Sequence, residues 1–551
     1  MPGGLLVNST RSNNITDQVV NLLYADNFNE DFPFDPLLGV NFRRETNNFT
    51  IGTSTNQFIF NLFTAANFTD FTNQSFILRE NNIGVYGTAT VGYRDFLYLG
   101  FQGRNDWTST LEEDNRSVFY PSVNVSFIPS EVFNIDKRYV DYLKIRFGFG
   151  TSAGYPNPFV TSNILGSATN GFFPRTGTAA NINSISNRLG NPDLVAEKVR
   201  EFEFGVEANL LRNRIRVDLS LYTKDSDDLI LDANLDPSTG STVTTINAAA
   251  VSNRGIELGL TISPFRGDFG WDFTTNFTKN VNLVEGLADG QTSEIIAGFT
   301  NLNNSAFAPV PNEGEIDADV LEFGTLRNGE YQLPYGAIVG TAFERDPDGN
   351  LIVNSNGSYI ETSGTEIIGD PTPNYTVDFI NTFTYKGVSL NVQFSYRDGG
   401  DIYSTTTATL LARGNTIDTD FDRFLPIVLP GVVENADGTF SPNTIQAYAG
   451  DAFFDGFFGA AEGTIFDGTN IRLREISLAY AIPTKLLDKT PIGNLSFRIF
   501  GENLWFNSPN FPDGVNFDPE VLSLGVGNGQ GFDFLTGPTA QKFGFSVNAT
   551  F

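Results

Sequence analysis

Short segments in which apolar and polar residues alternate one by one recur along this 551-residue chain. In RIRVDLSLY, for example, Ile215, Val217, Leu219 and Leu221 occupy every second position, and charged or polar residues stand between them. The C-terminal KFGFSVNATF has the same pattern and ends on Phe551. Successive side chains of a β-strand point to opposite faces, so this period predicts strands with one apolar face. Helical periodicity is weak throughout, and an all-β chain is therefore expected.

About 14 such segments occur, most of them about ten residues long, and ten residues let a tilted strand cross a bilayer. Short and long connections alternate between them, as turns and loops do on the two sides of an outer-membrane barrel. We therefore expect an antiparallel transmembrane β-barrel in the outer membrane, with short periplasmic turns and long extracellular loops. The predicted strands lie near 37–46, 83–93, 96–106, 118–128, 139–150, 201–210, 214–224, 254–263, 269–279, 375–386, 388–397, 470–482, 494–503 and 541–551.

One predicted strand changes phase along its length. In NIRLREISLAYAIP the apolar positions are odd at Ile471 and Leu473 but even from Ile476 onward. A shift of one residue is what a β-bulge near Arg474–Glu475 produces. Two short strands joined by a kink are the alternative.

The three tryptophans fit the membrane interfaces of this topology, because amphipathic rings prefer the headgroup level. Trp107 and Trp505 end strands that run outward, and Trp271 begins one at the inner rim. All three are expected in the aromatic girdles. A soluble β-sandwich with its charged faces in water has the same alternation, but strand length, strand number and the asymmetry of the connections favour the barrel.

Composition excludes several classes of function. The chain has no cysteine and no histidine, which removes disulfides, Cys/His nucleophile pairs, Ser-His-Asp triads and His or Cys metal sites. Its net charge of −30 argues against binding nucleic acid. The DPDGN run (346–350) carries carboxylates of the kind that bind calcium, but it lacks the spacing of an EF-hand and favours a hairpin turn. We expect no enzymatic activity, no cofactor and no metal site.

Several sequence blocks, in this order, resemble the C-terminal part of a SusC/RagA-type TonB-dependent outer-membrane transporter of Bacteroidota. They include VYGTATVGYRDFLYLGFQGRNDWTSTL, NPDLVAEKVREFEFGVEANLLRNRIRVDLSLYTKDSDDLIL, GDPTPNYTVDFINTFTYKGVSLNVQFSYRDGG, TNIRLREISLAYAIP and FRIFGENLW. The resemblance runs from about residue 37 to 551 and implies a barrel of 22 strands, of which about 14 are present. Residues 1–36 are then a strand or loop remnant, and 37–551 are barrel. The family's signal peptide, carboxypeptidase-like domain, TonB box and plug have no counterpart in the sequence.

The resemblance also implies a function and its partners. The family takes up oligosaccharides, or in some members peptides, with a SusD-like surface lipoprotein closing over the loops and the TonB complex supplying energy. Outer-membrane lipid and lipopolysaccharide are further expected partners. Two alternatives remain: an accessory barrel in an outer-membrane assembly or secretion complex, and a 14-strand pore without a plug.

Two sets of residues are candidates for these roles. Outer-membrane barrels resemble one another in ending on an aromatic residue that the assembly machinery reads, which assigns that role to Phe551. Aromatic side chains in the long loops are candidates for ligand or lid contact, and the run DAFFDGFFGAAEG (451–463) is expected to pack inside the barrel mouth or against a partner. The candidates are Tyr155, Phe159, Tyr403, Phe453, Phe454, Phe457 and Phe458.

Overall fold

Long antiparallel strands dominate the computed structural model, which describes residues 3–24, 26–29, 31–172, 180–288, 290–299, 301–312, 316–523 and 529–551. Up to residue 172 the strands are β1 Leu5–Leu23, β2 Asp26–Asn29, β3 Phe32–Gln57, β4 Phe68–Tyr93, β5 Leu97–Thr108, β6 Ser117–Phe127, β7 Val140–Gly154 and β8 Leu165–Phe172. Up to residue 369 they are β9 Ala180–Ile185, β10 Arg188–Leu189, β11 Glu197–Leu210, β12 Ile215–Asn234, β13 Val243–Phe265, β14 Phe269–Leu287, β15 Ser293–Phe299, β16 Leu302–Phe307, β17 Val310–Pro311, β18 Thr325–Arg327, β19 Glu330–Gln332, β20 Ala337–Gly340 and β21 Glu366–Gly369.

The C-terminal third is also made mainly of β-strands. Its strands are β22 Pro373–Tyr385, β23 Val388–Gly399, β24 Asp401–Ser404, β25 Pro426–Val428, β26 Val432–Glu434, β27 Phe440–Pro442, β28 Gln446–Tyr448, β29 Ile465–Asp467, β30 Asn470–Ala481, β31 Asn494–Asn507, β32 Phe532–Asp533 and β33 Lys542–Thr550. The α-helices are short: α1 Pro129–Val132, α2 Ala318–Phe323, α3 Thr405–Ala412, α4 Ala449–Phe458 and α5 Thr484–Leu487. Among the described residues, no helix is long and apolar enough to span a membrane.

All the predicted membrane strands are present, and the structure adds one more. In the part of the chain that the structure describes, seventeen strands belong to one sheet: β1–β7, β10–β14, β22, β23, β30, β31 and β33. Two of them, β2 and β10, are short, so fifteen long strands stand where about 14 were expected. The additional long strand is β1, which pairs antiparallel with β3 from Leu5 opposite Thr55 to Leu23 opposite Leu37. The proposed division of the chain at residue 36 stays a prediction.

The chain forms two compact units, residues 1–127, 148–201 and 226–249, and residues 128–147, 202–225 and 250–551. In the first unit β1, β3, β4, β5 and β6 are successive antiparallel neighbours. In the second unit β14, β22, β23, β30, β31 and β33 follow one another in the same way. Several connections are as tight as expected: Arg94 and Asp95 both have positive φ, and Lys386 and Gly387 do too, as a two-residue hairpin turn requires.

The bulge in β30 is confirmed. Gln393 pairs with Glu475 and Phe394 with Leu473, so Arg474 is the extra residue on its strand. The pairing of β30 with β31 shifts at the same place. The bulge lets the apolar positions on both sides of Arg474 lie on one face of the sheet.

One face of these strands is apolar and the other is polar, as is required of strands in the wall of a membrane barrel. On β33 the rings of Phe543 and Phe545 are 75% and 78% exposed, and the neighbouring apolar residues of β31 are open too. On the opposite face charged side chains form ion pairs, such as that of Arg498 with Glu475. An exposed apolar face opposite a polar face with ion pairs is the pattern of strands that have lipid on one side.

Candidate functional site

The described residues of three long connections of the second unit, 280–374, 398–469 and 504–540, fold together into one body, which we call the loop assembly. Strand β24 pairs with β29 on one side and with β32 on the other, which joins the second and third connections. Ile338, Ile402 and Phe532 are fully buried in its core. The segments that the alternation left as long loops therefore carry a hydrophobic core of their own.

Buried polar groups fix how the three connections meet. The carboxylate of Asp533 is fully buried and accepts hydrogen bonds from the Ser404 hydroxyl and the Thr406 N–H, both at 2.9 Å. The Asn304 amide donates to the carbonyls of Gly336 at 2.8 Å and Gln530 at 3.1 Å, and its oxygen accepts from the Gln530 N–H. Because an unpaired buried polar group is costly, these bonds specify one arrangement of the segments.

The loop assembly contains an open cavity of about 680 Å³. Its apolar wall includes Phe307, Phe323 and Phe343, and the rest of the lining is rich in carboxylates. Burial and the nearby carboxylates raise the pKa of Glu366 above its usual range. Among the described lining residues Arg345 is the one basic side chain, and it is bonded to Glu462. The acidic residues of the lining are Asp317, Asp319, Glu322, Glu344, Glu366 and Glu462.

The cavity offers hydrogen-bond acceptors beside aromatic faces. This combination suits a ligand with many hydroxyl or N–H donors and some apolar surface, and the volume lies within the range of small-ligand sites. Among the described residues, no group of three or more acidic side chains has the geometry of a metal site. Asp346 of the DPDGN run is occupied with its own turn, since its carboxylate accepts from the N–H groups of Asp348 and Asn350. The hairpin-turn interpretation of that run is confirmed, with Gly349 at φ 85°.

The first part of the aromatic run at 451–463 lies in helix α4, Ala449–Phe458, on the loop assembly. Phe453 packs against Phe421 with ring centroids 5.2 Å apart, and Phe454 stacks on Phe458 at 6.3 Å. The Arg423 guanidinium lies 5.6 Å from the centre of the Phe454 ring. Phe453 and Phe454 are half-buried, whereas Phe458 is exposed. Phe457 lies in the helix, but its side chain is outside the part of the structure that can be described.

The α4 helix continues into an exposed apolar surface. Nearby segments of the loop assembly present large apolar side chains that are mostly open to solvent. They are Ile417, Phe424, Leu425, Val428, Tyr448 and Phe458. The rings of Phe424 and Tyr448 are in contact, with centroids 6.3 Å apart, and exposed apolar side chains that cluster are typical of interaction sites.

The other loop aromatics lie in different surroundings. Tyr403 is in β24, half-buried, with its ring 6.2 Å from that of Phe532 inside the loop assembly. Tyr155 belongs to the first unit, where its hydroxyl donates to the Asp106 carboxylate at 3.2 Å. Phe159, in the same unit, is about half exposed and has the unusual φ of 71°. Within the second unit, Phe453, Phe454 and Phe458 lie together on α4, whereas Tyr403 packs against Phe532.

The girdle tryptophans and the terminal residue lie at strand ends. Trp107 and Trp505 are 40% and 49% exposed. Trp271 is half-buried, stacks on Phe383 at 5.8 Å and donates from its indole N–H to Asn381. Phe551 follows the end of β33 and is 86% exposed. Their roles at the interfaces and in assembly stay predictions.

Two charge contacts that the sequence pattern does not predict hold the last connection of the loop assembly. Arg472 forms a fully buried ion pair with Asp518, and Arg474, the bulge residue, bonds both Glu520 and the Ser395 hydroxyl. The signal was present in the sequence as two arginines on a polar strand face. Their acidic partners, about 45 residues away, could not be identified from spacing alone.

Comparison with known proteins gives a consistent result. The family model "TonB dependent receptor-like, beta-barrel" matches residues 3–312. TonB-dependent receptor P26 of Formosa agariphila is 25% identical over 483 residues, which are 85% of this chain and 46% of that protein. TonB-dependent receptor SusC of Bacteroides thetaiotaomicron is 23% identical over 368 residues, which are 62% of this chain and 35% of that protein. The chain spans about half the length of the curated relatives it matches first.

Solved structures share the fold. The RagAB peptide transporter structure superimposes with a TM-score of 0.72 at 17% identity, covering 99% of this chain and 56% of that one. The same assembly in its "open-open" state gives 0.69 at 18% identity and covers 100% and 56%. At this identity the likeness concerns the fold of the chain.

Proposed function

Because the chain belongs to the TonB-dependent receptor β-barrel family of the outer membrane, with SusC and RagA among its relatives, we propose that it takes part in importing oligosaccharides or peptides across that membrane. A SusD-like surface lipoprotein is the proposed partner on the outer side, and the TonB complex the proposed source of energy. The chain supplies the barrel wall and the ligand-facing loops. It is not proposed to act as an enzyme.

The observation that carries this proposal is the cavity in the loop assembly. Its carboxylates can accept hydrogen bonds from sugar hydroxyls or from peptide N–H groups, and its phenylalanine rings offer faces for sugar rings or apolar side chains. A folded body fixed by buried polar groups can present these side chains in one geometry. The names of the relatives support the transport reaction, since they describe TonB-dependent receptors and, in one case, a peptide transporter.

Uptake assays with the full-length protein in its own strain test this proposal. Cells are supplied with fluorescent oligosaccharides or fluorescent peptides, and internal label is measured with and without a collapsed proton gradient. We expect uptake that stops when the gradient is collapsed. Uptake that continues without the gradient would instead support the plug-less pore, and no uptake at all would favour the accessory barrel.

A pair of variants ties uptake to the cavity. Exchanging both Glu322 and Glu344 for Gln keeps the shape of the lining but weakens its acceptors, and we expect the concentration for half-maximal uptake to rise about tenfold. Glu434→Gln is the matched control, because Glu434 is exposed in β26 and does not line the cavity. Equal uptake by both variants would remove the cavity from the proposal.

A further inference from the structure

Strands β1, β3 and β4 extend far beyond their neighbour β5, and we call this extension the ribbon. Strand β5 ends where Thr108 pairs with Asn82. The rest of β4, from Asn81 back to Phe68, has β3 as its only partner strand among the described residues. Fourteen residues at about 3.3 Å each make a ribbon of roughly 45 Å beyond the level of Trp107. Since Trp107 is expected at the outer membrane interface, the end of the ribbon stands well above the bilayer.

The end of the ribbon is an exposed apolar loop, residues 58–63, which we call the tip. The segment from Gln57 to Asn67, QFIFNLFTAAN, has no charged residue, although the whole chain carries a net charge of −30. The large side chains of the tip point into solvent. They are Phe58 (68% exposed), Ile59 (60%), Phe60 (87%), Leu62 (44%) and Phe63 (67%).

A buried asparagine holds the tip in one shape. Asn67 is 5% exposed, and its amide donates to the carbonyls of Ile59 at 2.7 Å and Leu62 at 2.9 Å. Its side-chain oxygen accepts from the Ile59 N–H at 2.9 Å, and its carbonyl accepts from the Phe58 N–H at 2.8 Å. The backbone of the tip is therefore fixed before any partner arrives, and a fixed loop loses less entropy on binding.

The position and chemistry of the tip limit which kind of partner can bind it. The protein's own bilayer lies about 45 Å away along the ribbon, beyond the reach of these side chains. An oligosaccharide needs hydrogen-bonding groups, and the large exposed side chains of the tip have none. A folded domain of about 200 residues is roughly 40 Å across, so one resting on the membrane reaches the height of the tip. Aromatic side chains displayed together are typical anchors of protein interfaces.

We propose that the tip is a docking anchor that inserts into an apolar cleft on the surface lipoprotein that partners this chain. The inference rests on the proposed function, because it takes the lipoprotein from there. The new element is the part of the chain that binds this partner at a distance from the membrane. The tip is in the first compact unit and uses none of the residues of the cavity or of helix α4.

Equilibrium binding of the purified lipoprotein to the full-length protein tests this inference. We expect the double variant Phe60→Ser with Phe63→Ser to weaken binding at least tenfold. The control is Ile77→Ser, which is 54% exposed on β4 of the same ribbon but away from the tip, and it should stay within twofold of the wild type. Asn67→Ala, which releases the tip without changing its apolar residues, should also weaken binding. Unchanged mobility of the unheated barrel on gels shows that each variant is folded.

Crosslinking identifies the occupant directly, because the chain has no cysteine of its own. A single Phe60→Cys carrying a photoactivatable thiol reagent should crosslink the purified lipoprotein, and Ile77→Cys should not. Crosslinks only to a second copy of this chain would overturn the inference in favour of self-association. If the tip variant binds the lipoprotein as the wild type does, the inference is overturned while the proposed function stands. If the wild type does not bind the lipoprotein, the proposed partnership fails as well.

Discussion

At the scale of single residues, the strongest electrostatic constraint is the buried pair of Arg472 and Asp518. Each side chain is 1% exposed. Asp518 also accepts from the Thr539 N–H at 3.0 Å and hydroxyl at 2.7 Å, and the Arg472 guanidinium lies 5.1 Å from the centre of the Phe506 ring. Removing one member of such a pair leaves the other charge buried without its counter-ion.

Replacing Arg472 by Met should therefore destabilise the loop assembly by about 3 to 5 kcal/mol. The measurement is the temperature at which protease begins to cleave residues 504–540 in the full-length protein. Arg138→Ala is the control, because the pair of Arg138 with Asp136 is mostly exposed and contributes little. Equal cleavage temperatures for the two variants would contradict the importance of the buried pair.

Asp401 makes the stability of the loop assembly depend on pH. Burial raises its pKa to about 6, and the negative charges of Asp467, Asp370 and Glu322 act in the same direction against the hydrogen bond from the Asp370 N–H. In the unfolded chain an aspartate ionises near pH 4. Between about pH 4 and pH 6 the folded state therefore holds a proton that the unfolded state has lost, and stability falls as pH rises through this window.

Asp401→Asn should remove this dependence. The amide oxygen can still accept from the Asp370 N–H, but there is no charge to bury, so the variant should be more stable than the wild type at pH 7.5 by about 2 kcal/mol and nearly equal to it at pH 4. Thermal unfolding of the detergent-solubilised full-length protein at the two pH values measures the difference. A wild type whose stability rises with pH across this window would contradict the assignment.

At the scale of elements, the bulge in β30 adds one residue to the strand and still keeps the apolar side chains before and after it on one face. Arg474 is the extra residue, so deleting it leaves the pairing of Leu473 and Glu475 with β23 intact. Deleting Ser477 instead forces part of the strand to turn polar side chains toward lipid. We expect the Arg474 deletion to assemble in the outer membrane with a more protease-sensitive 504–540 segment, and the Ser477 deletion to be degraded. The reverse result would exclude the bulge as an inserted residue.

The same scale shows what the sequence could predict. Strands that face lipid must alternate, so all fourteen predicted segments are strands and the bulge was visible as a change of phase. Strand β1 was missed because LLVNSTRSNNITDQVVNLL lacks alternation in its polar middle, and because nearly all of it is exposed on both faces. Strands of three or four residues in the loop assembly, such as β24, form because tertiary contacts hold them. Such short strands leave no periodic signal in the sequence.

The candidate site was less predictable for a related reason. The sequence indicates ligand or lid contacts for the loop aromatics, but an aromatic side chain in a loop can equally well pack in a hydrophobic core. Tyr403 packs on Phe532 inside the loop assembly, and Tyr155 bonds a carboxylate of its own unit. The cavity depends on residues brought together from 307 to 462, which no local pattern reveals.

At the scale of the whole molecule, many apolar side chains lie in two separate places, on one face of the long strands and in the core of the loop assembly. The apolar side chains that alternate along the strands are left open to lipid, while the connections bury a separate core. A protein organised in this way exposes apolar strands until it is inserted, and its assembly must be guided to the membrane. The predicted signal for that step is the terminal aromatic residue.

Variants of Phe551 can distinguish an effect on assembly into the outer membrane from an effect on the stability of the assembled protein. Its ring is 86% exposed and lies beyond the end of β33, so Phe551→Ser should leave the melting temperature of assembled protein unchanged. If the assembly machinery reads the ring, the same variant should lower the amount of protein in the outer membrane about tenfold, and Phe551→Tyr should restore it. Immunoblots of membrane fractions, with melting of the purified protein alongside, measure both quantities. A fall in melting temperature that matches the fall in amount would assign Phe551 a structural role instead, since the loss would then follow from a less stable barrel.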